Sequence, residues 1–301
     1  MTDYGHDLEF GVILTPNAAD PARVLELALL ADTAGLDLLA VPDHPYQPGA
    51  LEAWTLLTAI GTGTSRIRVL PDVANLPLRP PAVLARAAAT LDLLTGGRVE
   101  LGLGAGGYPD AIAGDGGTRH APGESLDALR EAVTVIRGLL TPGPPVTLDG
   151  THHHLRNARP GPGHPHPIGL WLGTVGPRAL RLTGQLGDGW LPSATRIPPH
   201  ALPKANHIID TAATAAGRDP SDIRRLYNIP APSSTGPTTD LPERLATLAC
   251  EHGTSGFLLF TDSPEFIHAL GSDIAPRTRE LVTHARQHDV PPAKPQRGPR
   301  R

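Results

Sequence analysis

Residues 99–110 read VELGLGAGGYPD, and Gly102, Gly104 and Gly107 stand there at the spacing G-x-G-x-x-G. In a dinucleotide-binding fold those glycines follow the first strand, and the third opens a helix whose N-terminus takes a pyrophosphate. The neighbours argue against that context. Tyr108-Pro109-Asp110 and GDGGT (residues 114–118) follow the third glycine, a composition that predicts loop rather than helix. The acids nearest the ribose-binding position, Glu124 and Asp127, fall within a helical pattern instead of ending a strand. Three extended runs also precede this one, so the glycines belong to a fourth strand. Two readings remain for them: a cradle of backbone N–H groups for a phosphorylated ligand, or close packing at a rim.

Working outward, eight short apolar runs recur along the chain, at residues 8–14, 38–42, 67–73, 98–104, 167–173, 188–193, 223–229 and 256–260. Helical patterns fill most of the gaps. Asp20-Pro21 is a cap followed by a first-turn proline, with Val24, Leu27, Ala28 and Ala31 on one face and Gly35 at the stop. Val83, Ala87, Leu91 and Leu94 predict a second apolar stripe, and Leu126, Leu129, Val133, Ile136 and Leu140 a third. Asp240 and Ser263 are candidate caps of two late helices. Eight strands alternating with helices predict a (β/α)8 TIM barrel, with a doubly wound sheet as the alternative. Asp149-Gly150 between β-prone flanks predicts a hairpin inserted near residues 142–166. A single domain over residues 1–290 follows, with a proline-rich basic tail, 291–301, expected to be disordered.

A net charge of −4 over 301 residues gives no electrostatic reason to expect nucleic acid or an anionic membrane as partner. One cysteine excludes an internal disulfide and a multi-cysteine metal site. The N-terminus lacks a secretion-signal pattern and no apolar run approaches the roughly 20 residues of a membrane span. A cytoplasmic protein is therefore expected.

In a barrel the chemistry belongs at the C-terminal ends of the strands. After the second strand stand Asp43 and His44, and a histidine there can act as acid or base near neutral pH. The competing reading is a capping aspartate beside a loop histidine. Asp72 and Asn75 lie in a proline-studded run that predicts a bulge, and Arg79 after them suggests a structural ion pair. His152, His153 and His154 lack a carboxylate or cysteine at ligand spacing, so no metal is expected there. No G-x-S-x-G nucleophile elbow occurs.

The sequence resembles the luciferase-like monooxygenase superfamily, barrel enzymes that use FMN or the deazaflavin coenzyme F420. The resemblance rests on PDHPYQP (residues 42–48), on residues 66–106 with their LDLLTGGR turn, and on LWLGTVGPRALRLTGQLGDGWLPS (residues 170–193). It implies a bacterial luciferase-like barrel with the cofactor across the strand ends. It implies Asp43 and His44 beside the reactive face of the ring, His44 being the acid/base candidate. It implies a non-prolyl cis peptide at Asp72-Val73 behind the ring, Asn75 near the ring or its tail, and Ala105 and Gly106 near the cofactor's side chain. Gly173, Thr174, Val175 and Gly176 correspond to a loop close to its phosphate. Some deazaflavin-dependent dehydrogenases carry a proton-relaying glutamate where this chain has Gly107, which argues against their sugar-phosphate chemistry and leaves Tyr108 and Asp110 as lesser candidates. Coenzyme F420 with hydride transfer to or from a small organic substrate is the preferred expectation. An FMN-dependent monooxygenase, and a flavin-binding protein or silent subunit with little catalysis, are the alternatives. Members are often dimers, so a homodimer is the assembly the resemblance suggests.

Overall fold

The computed structural model describes residues 3–232 and 240–288. The expected tail, and most of the loop after residue 232, lie outside the described residues. The strands are β1 (Glu9–Ile13), β2 (Leu38–Val41), β3 (Arg68–Pro71), β4 (Ala74–Asn75), β5 (Leu101–Gly104), β6 (Val146–Asp149), β7 (His154–Ala158), β8 (Leu170–Leu172), β9 (Gly189–Trp190), β10 (Arg224–Pro230) and β11 (Gly256–Phe260). The α-helices are α1 (Pro21–Thr33), α2 (Ala53–Gly63), α3 (Pro81–Thr95), α4 (Pro109–Gly114), α5 (Pro122–Leu140), α6 (Pro177–Leu186), α7 (Leu202–Ala215), α8 (Leu241–His252), α9 (Pro264–Ala269) and α10 (Ala275–His288).

Nine strands form one sheet in the order β3-β2-β1-β11-β10-β9-β8-β5-β4, while β6 and β7 pair with each other. Strands β3 and β4 are two halves of one interrupted strand. Val69 in β3 bridges in parallel to Val99, just ahead of β5, so the two ends of the sheet meet. The result is the (β/α)8 barrel that the alternation predicts, and each of the eight apolar runs occupies one position in it. A doubly wound sheet would stay open, which this closure excludes.

Alternation along the strands divides the apolar side chains between two cores. Leu39, Val41 and Val69 join the large core beneath the helices. Leu38, Ala40 and Leu70 point inward and, with Ile13, Trp171, Leu191, Leu226 and Leu258, fill the barrel. The two ends of the barrel differ in chemistry. At the N-terminal end Arg68 pairs with Glu9 and, at 2.7 Å, with Glu100, while Arg224 reaches Glu9 at 3.0 Å. Glycines and small polar residues line the other end.

Local signals place the helices. Asp20 accepts from the Arg23 N–H at 3.1 Å and Ser263 from the Phe266 N–H at 3.2 Å, as their cap positions predict. Asp240 occupies the cap of α8 without a side-chain hydrogen bond. Two expectations need correction. On α3 the buried face is Leu84, Ala85, Ala88, Ala89 and Leu91, whereas Val83 and Leu94 are exposed. Of the expected stripe Leu91 is buried, and alanines beside Leu84 supply the rest of the close-packed face, which the larger Val83 and Leu94 do not mark. Secondly, a helix does follow Gly107: α4 starts at Pro109. Its six residues are opened by proline's fixed φ, and the closed sheet, the fourth-strand position and the place of Glu124 and Asp127 on α5 still separate this site from a dinucleotide fold. The hairpin forms as expected, but through the four residues between Asp149 and His154 rather than a two-residue turn.

Asp32 anchors the return from α2 to β3. Its buried carboxylate accepts from the N–H groups of Ser65 (2.9 Å), Arg66 (2.9 Å) and Ile67 (2.8 Å) and from the Ser65 hydroxyl (3.0 Å). Burial pulls its pKa up, but these donors outweigh burial and hold it below the usual carboxylate value. Asp32→Asn should lower stability by about 3 kcal/mol at neutral pH. A depressed folded pKa stabilises above the unfolded value and is lost as pH falls through the folded one. The wild-type advantage in urea melts should therefore be full above about pH 4 and shrink in stronger acid.

Candidate active site

Asp43 follows β2 directly and is buried. Its Oδ2 accepts from the Asn75 N–H at 2.8 Å and from the guanidinium of Arg79. The other arm of Arg79 pairs with Glu52, whose carboxylate also caps α2 through the Thr55 N–H at 2.7 Å. One carboxylate thus ties the end of β2 to the interrupted strand and to the approach to α3. Asp43 Oδ1 and Asn75 Oδ1 are buried without a hydrogen-bond partner.

Between β3 and β4, Asp72 and Val73 leave the ladder, and the Asp72-Val73 peptide is cis. The Asp72 N–H still donates to the Val41 carbonyl at 2.9 Å. Val73 turns inward and packs against the barrel-filling cluster. Two strand-end glycines make room for it. A Cβ on Gly104 would stand 2.5 Å from Val73 Cγ2, and one on Gly173 would stand 2.9 Å from Cγ1. The three glycines of the opening motif therefore do different things. Gly102 lets the Pro71 carbonyl approach, a Cβ there falling 2.1 Å from it; Gly104 seats Val73; Gly107 has no atom near its Cβ position and stays open.

Asp72 reaches across the barrel. Its Oδ2 accepts from Asn228 Nδ2 on β10 at 2.5 Å, and β10 lies four positions away in either direction around the ring. Burial over the apolar interior pushes the Asp72 carboxyl up to about 7, against the downward pull of the Asn228 hydrogen bond. Asn228 Oδ1 is buried without a partner.

His44, Tyr46 and Tyr108 form an aromatic group on the rim. His44 Nδ1 lies 2.7 Å from the Tyr46 hydroxyl, and the Tyr108 ring meets His44 edge-on at 5.4 Å. Burial lowers the His44 pKa below the usual imidazole value, while Asp43 opposes it. Tyr46 is pushed up to about 12 by burial and by Tyr108, Asp43 and Asp115. The phenol therefore keeps its proton and can donate to Nδ1, leaving the ring proton of neutral His44 on Nε2.

The structure brings Asp43, His44, Asp72, Val73, Asn75 and Gly173 to one end of the barrel. Ala105 packs on the outer core and Gly106, at φ +91°, sits against Pro77 and Ile112. The Thr174 hydroxyl is engaged by Thr183 at 2.7 Å, and its carbonyl accepts from the Trp190 indole at 3.0 Å. Val175 is exposed, and Gly176, at φ +82°, has open space around it at the start of α6. The histidine triplet lies apart, on the inserted hairpin. The N–H groups of Thr151, His152 and His153 converge on Glu131 at 2.8, 2.9 and 2.9 Å, and among the described residues no cluster suits a metal ion. Asn228 is the site residue that sequence reasoning missed. Its signal is a polar residue at an inward position of the otherwise apolar run Leu226-Tyr227-Asn228-Ile229.

The model of the luciferase-like monooxygenase family matches residues 8–250. An F420-dependent glucose-6-phosphate dehydrogenase of Microbacterium testaceum is 27% identical, over 94% of this chain and 93% of that one. A protein of the same name from Nocardia farcinica is 31% identical over 77% of this chain and 70% of its own. The coenzyme F420-dependent tetrahydromethanopterin reductase of Methanopyrus kandleri superposes with a TM-score of 0.73 at 19% identity, covering 90% of this chain and 99% of the other.

Removing the partner of a buried charge costs more than the pair itself contributes. Arg79→Met should therefore destabilise the protein by about 3 kcal/mol, read as a lower urea midpoint. Arg23→Met, which breaks an exposed pair with Glu26, should change it by less than about 1 kcal/mol.

Proposed function

The chain belongs to the luciferase-like monooxygenase family, and from that premise we propose that it is an oxidoreductase binding coenzyme F420 at the C-terminal mouth of the barrel. The observation that carries this reading is the Val73 platform. It is an apolar side chain seated on Gly104 and Gly173, with the donorless oxygens of Asp43, Asn75 and Asn228 on the same strand ends. A flat tricyclic ring with an apolar face and an N–H on its polar edge suits such a surface. When bound, the coenzyme supplies a hydride at a ring carbon for exchange with a small organic substrate.

The chain's own residues hold and orient. Val73 would back the ring with the Asp72 carboxyl beneath it, Asn75 would lie at its edge, and Asp43, occupied by Arg79 and Asn75, positions the bulge. The backbone from Ala105 to Gly107 and from Gly173 to Gly176 receives the phosphorylated tail, Gly107 and Gly176 leaving space for it. His44 gives or takes the accompanying proton at Nε2, with Tyr46 fixing the tautomer. Tyr108, exposed beside His44, offers the substrate an aromatic wall. Gly107 carries no carboxylate to relay a proton, which supports a substrate other than the sugar phosphate named for the relatives. We read residues 1–290 as one domain in the cytoplasm; no helix among the described residues is long and apolar enough to cross a membrane. Exposed Leu25 and Leu29 on α1, and Val83, Leu93 and Leu94 on α3, support a homodimer through that flank.

Titration of the purified protein with F420 and with FMN tests the reading. F420 should bind, and tight FMN binding with no response to F420 would replace it with a reduced-flavin monooxygenase. His44→Ala should leave the F420 dissociation constant within about threefold and lower turnover by about 100-fold; unchanged turnover removes His44 from the chemistry, and binding without turnover on any substrate favours the binding-protein alternative. In sedimentation, the wild type should run as a dimer and Leu29→Glu with Leu94→Glu as a monomer.

A further inference from the structure

We propose that Asp72 makes filling of this site proton-linked: the carboxyl that spans the barrel to Asn228 takes up one proton from solvent as a flat ring covers it. This rests on the reading that such a ring binds at Val73. Below the carboxyl lies a layer made of Ile13, Leu38, Ala40, Leu70, Leu226 and Leu258 together with Trp171 and Leu191, so one side of it faces hydrocarbon. A ring over the other side removes what water remains, and desolvation favours the neutral acid.

The amide of Asn228 is built to receive that neutral form. Its Nδ2 already donates to Asp72 Oδ2, while its Oδ1 is buried with no donor. A proton on Asp72 Oδ1 would give that oxygen its missing donor and close a two-bond acid–amide pair. The step forms one O–H bond, draws one proton from the buffer and changes no oxidation state.

Among the described residues, the charged and titratable groups near the strand ends leave Asp72 without a cation of its own. Asp43 after β2 is taken by Arg79, and His44 by Tyr46. Beyond β5, Asp110 pairs with Arg119 at 2.8 Å. Arg196 beyond β9 is exposed, and Asp262 beyond β11 accepts from the Thr15 N–H at 3.0 Å. Burial already lifts the carboxyl to about 7, so a further upward shift falls in the range where protons are exchanged near neutrality.

Calorimetric titration with F420 and with FMN, in two buffers of different ionisation enthalpy between about pH 6 and 9, tests the proposal. The wild type should take up close to one proton near pH 8, and its dissociation constant should be flat below about pH 7 and weaken by up to about tenfold per pH unit above it. Asp72→Asn, which keeps an amide for Asn228, should lose that uptake and that slope, retaining only what the coenzyme's own ionisation contributes. Asn228→Leu removes the bond that favours the carboxylate and should move the onset to higher pH. Binding by the wild type without proton uptake, or an Asp72→Asn protein with the wild-type slope, overturns the proposal and leaves the coenzyme reading intact. Binding of neither coenzyme at any pH overturns both.

Discussion

The buried carboxylate of Asp43 is the junction on which the mouth of this barrel depends. Three pieces of chain meet on it: the end of β2, Asn75 on β4 just beyond the bulge, and the guanidinium of Arg79. A bulge releases backbone from the ladder, and released backbone needs new partners. The Val41 carbonyl takes the Asp72 N–H and Asp43 the Asn75 N–H, one on each side of the bulge. With the bulge fixed, Val73 has one place to go, onto the glycines at 104 and 173, and Asp72 is aimed across the barrel at Asn228.

The two ends of the barrel divide labour through their charges. At the N-terminal end, Arg68, Arg224, Glu9 and Glu100 pair with one another in a half-buried ionic network. At the C-terminal end, Asp43 is held by the Asn75 N–H and the Arg79 guanidinium and Asp72 by the Asn228 amide, while Asp43 Oδ1, Asn75 Oδ1 and Asn228 Oδ1 find no donor among the described residues.

Much of the fold was legible because period-two and period-3.6 patterns survive in short windows. The eight runs, the helix from Asp20 and the inserted hairpin all follow from local composition. What failed was local information of the wrong kind. On α3 Val83, Leu93 and Leu94 face out while Ala85, Ala88 and Ala89 face in beside Leu84 and Leu91, so hydrophobic size alone misreports burial. At Gly107 the following Tyr-Pro-Asp reads as loop, yet proline at a first helical position starts a turn of helix. The site was legible as a set of strand ends and glycines, and Asp72 was placed there. Its partner was not, because Asn228 lies 156 residues away. No window of sequence contains both walls of a barrel.

Glu131 receives three successive N–H groups of the inserted hairpin, and a Cβ on Gly150 would fall 2.4 Å from its carboxylate oxygen. Val146, Leu148, Leu155 and Ala158 pack on the outer core as well, so the insertion is held to the flank of α5 by Glu131 and by an apolar face, while the barrel strands on either side pair without it. Such an attachment is modular. Because β5 and β8 pair directly with each other, the hairpin's tip can vary in length and composition with no change of register in the barrel wall, and the Asp72–Asn228 pair inside stays in place.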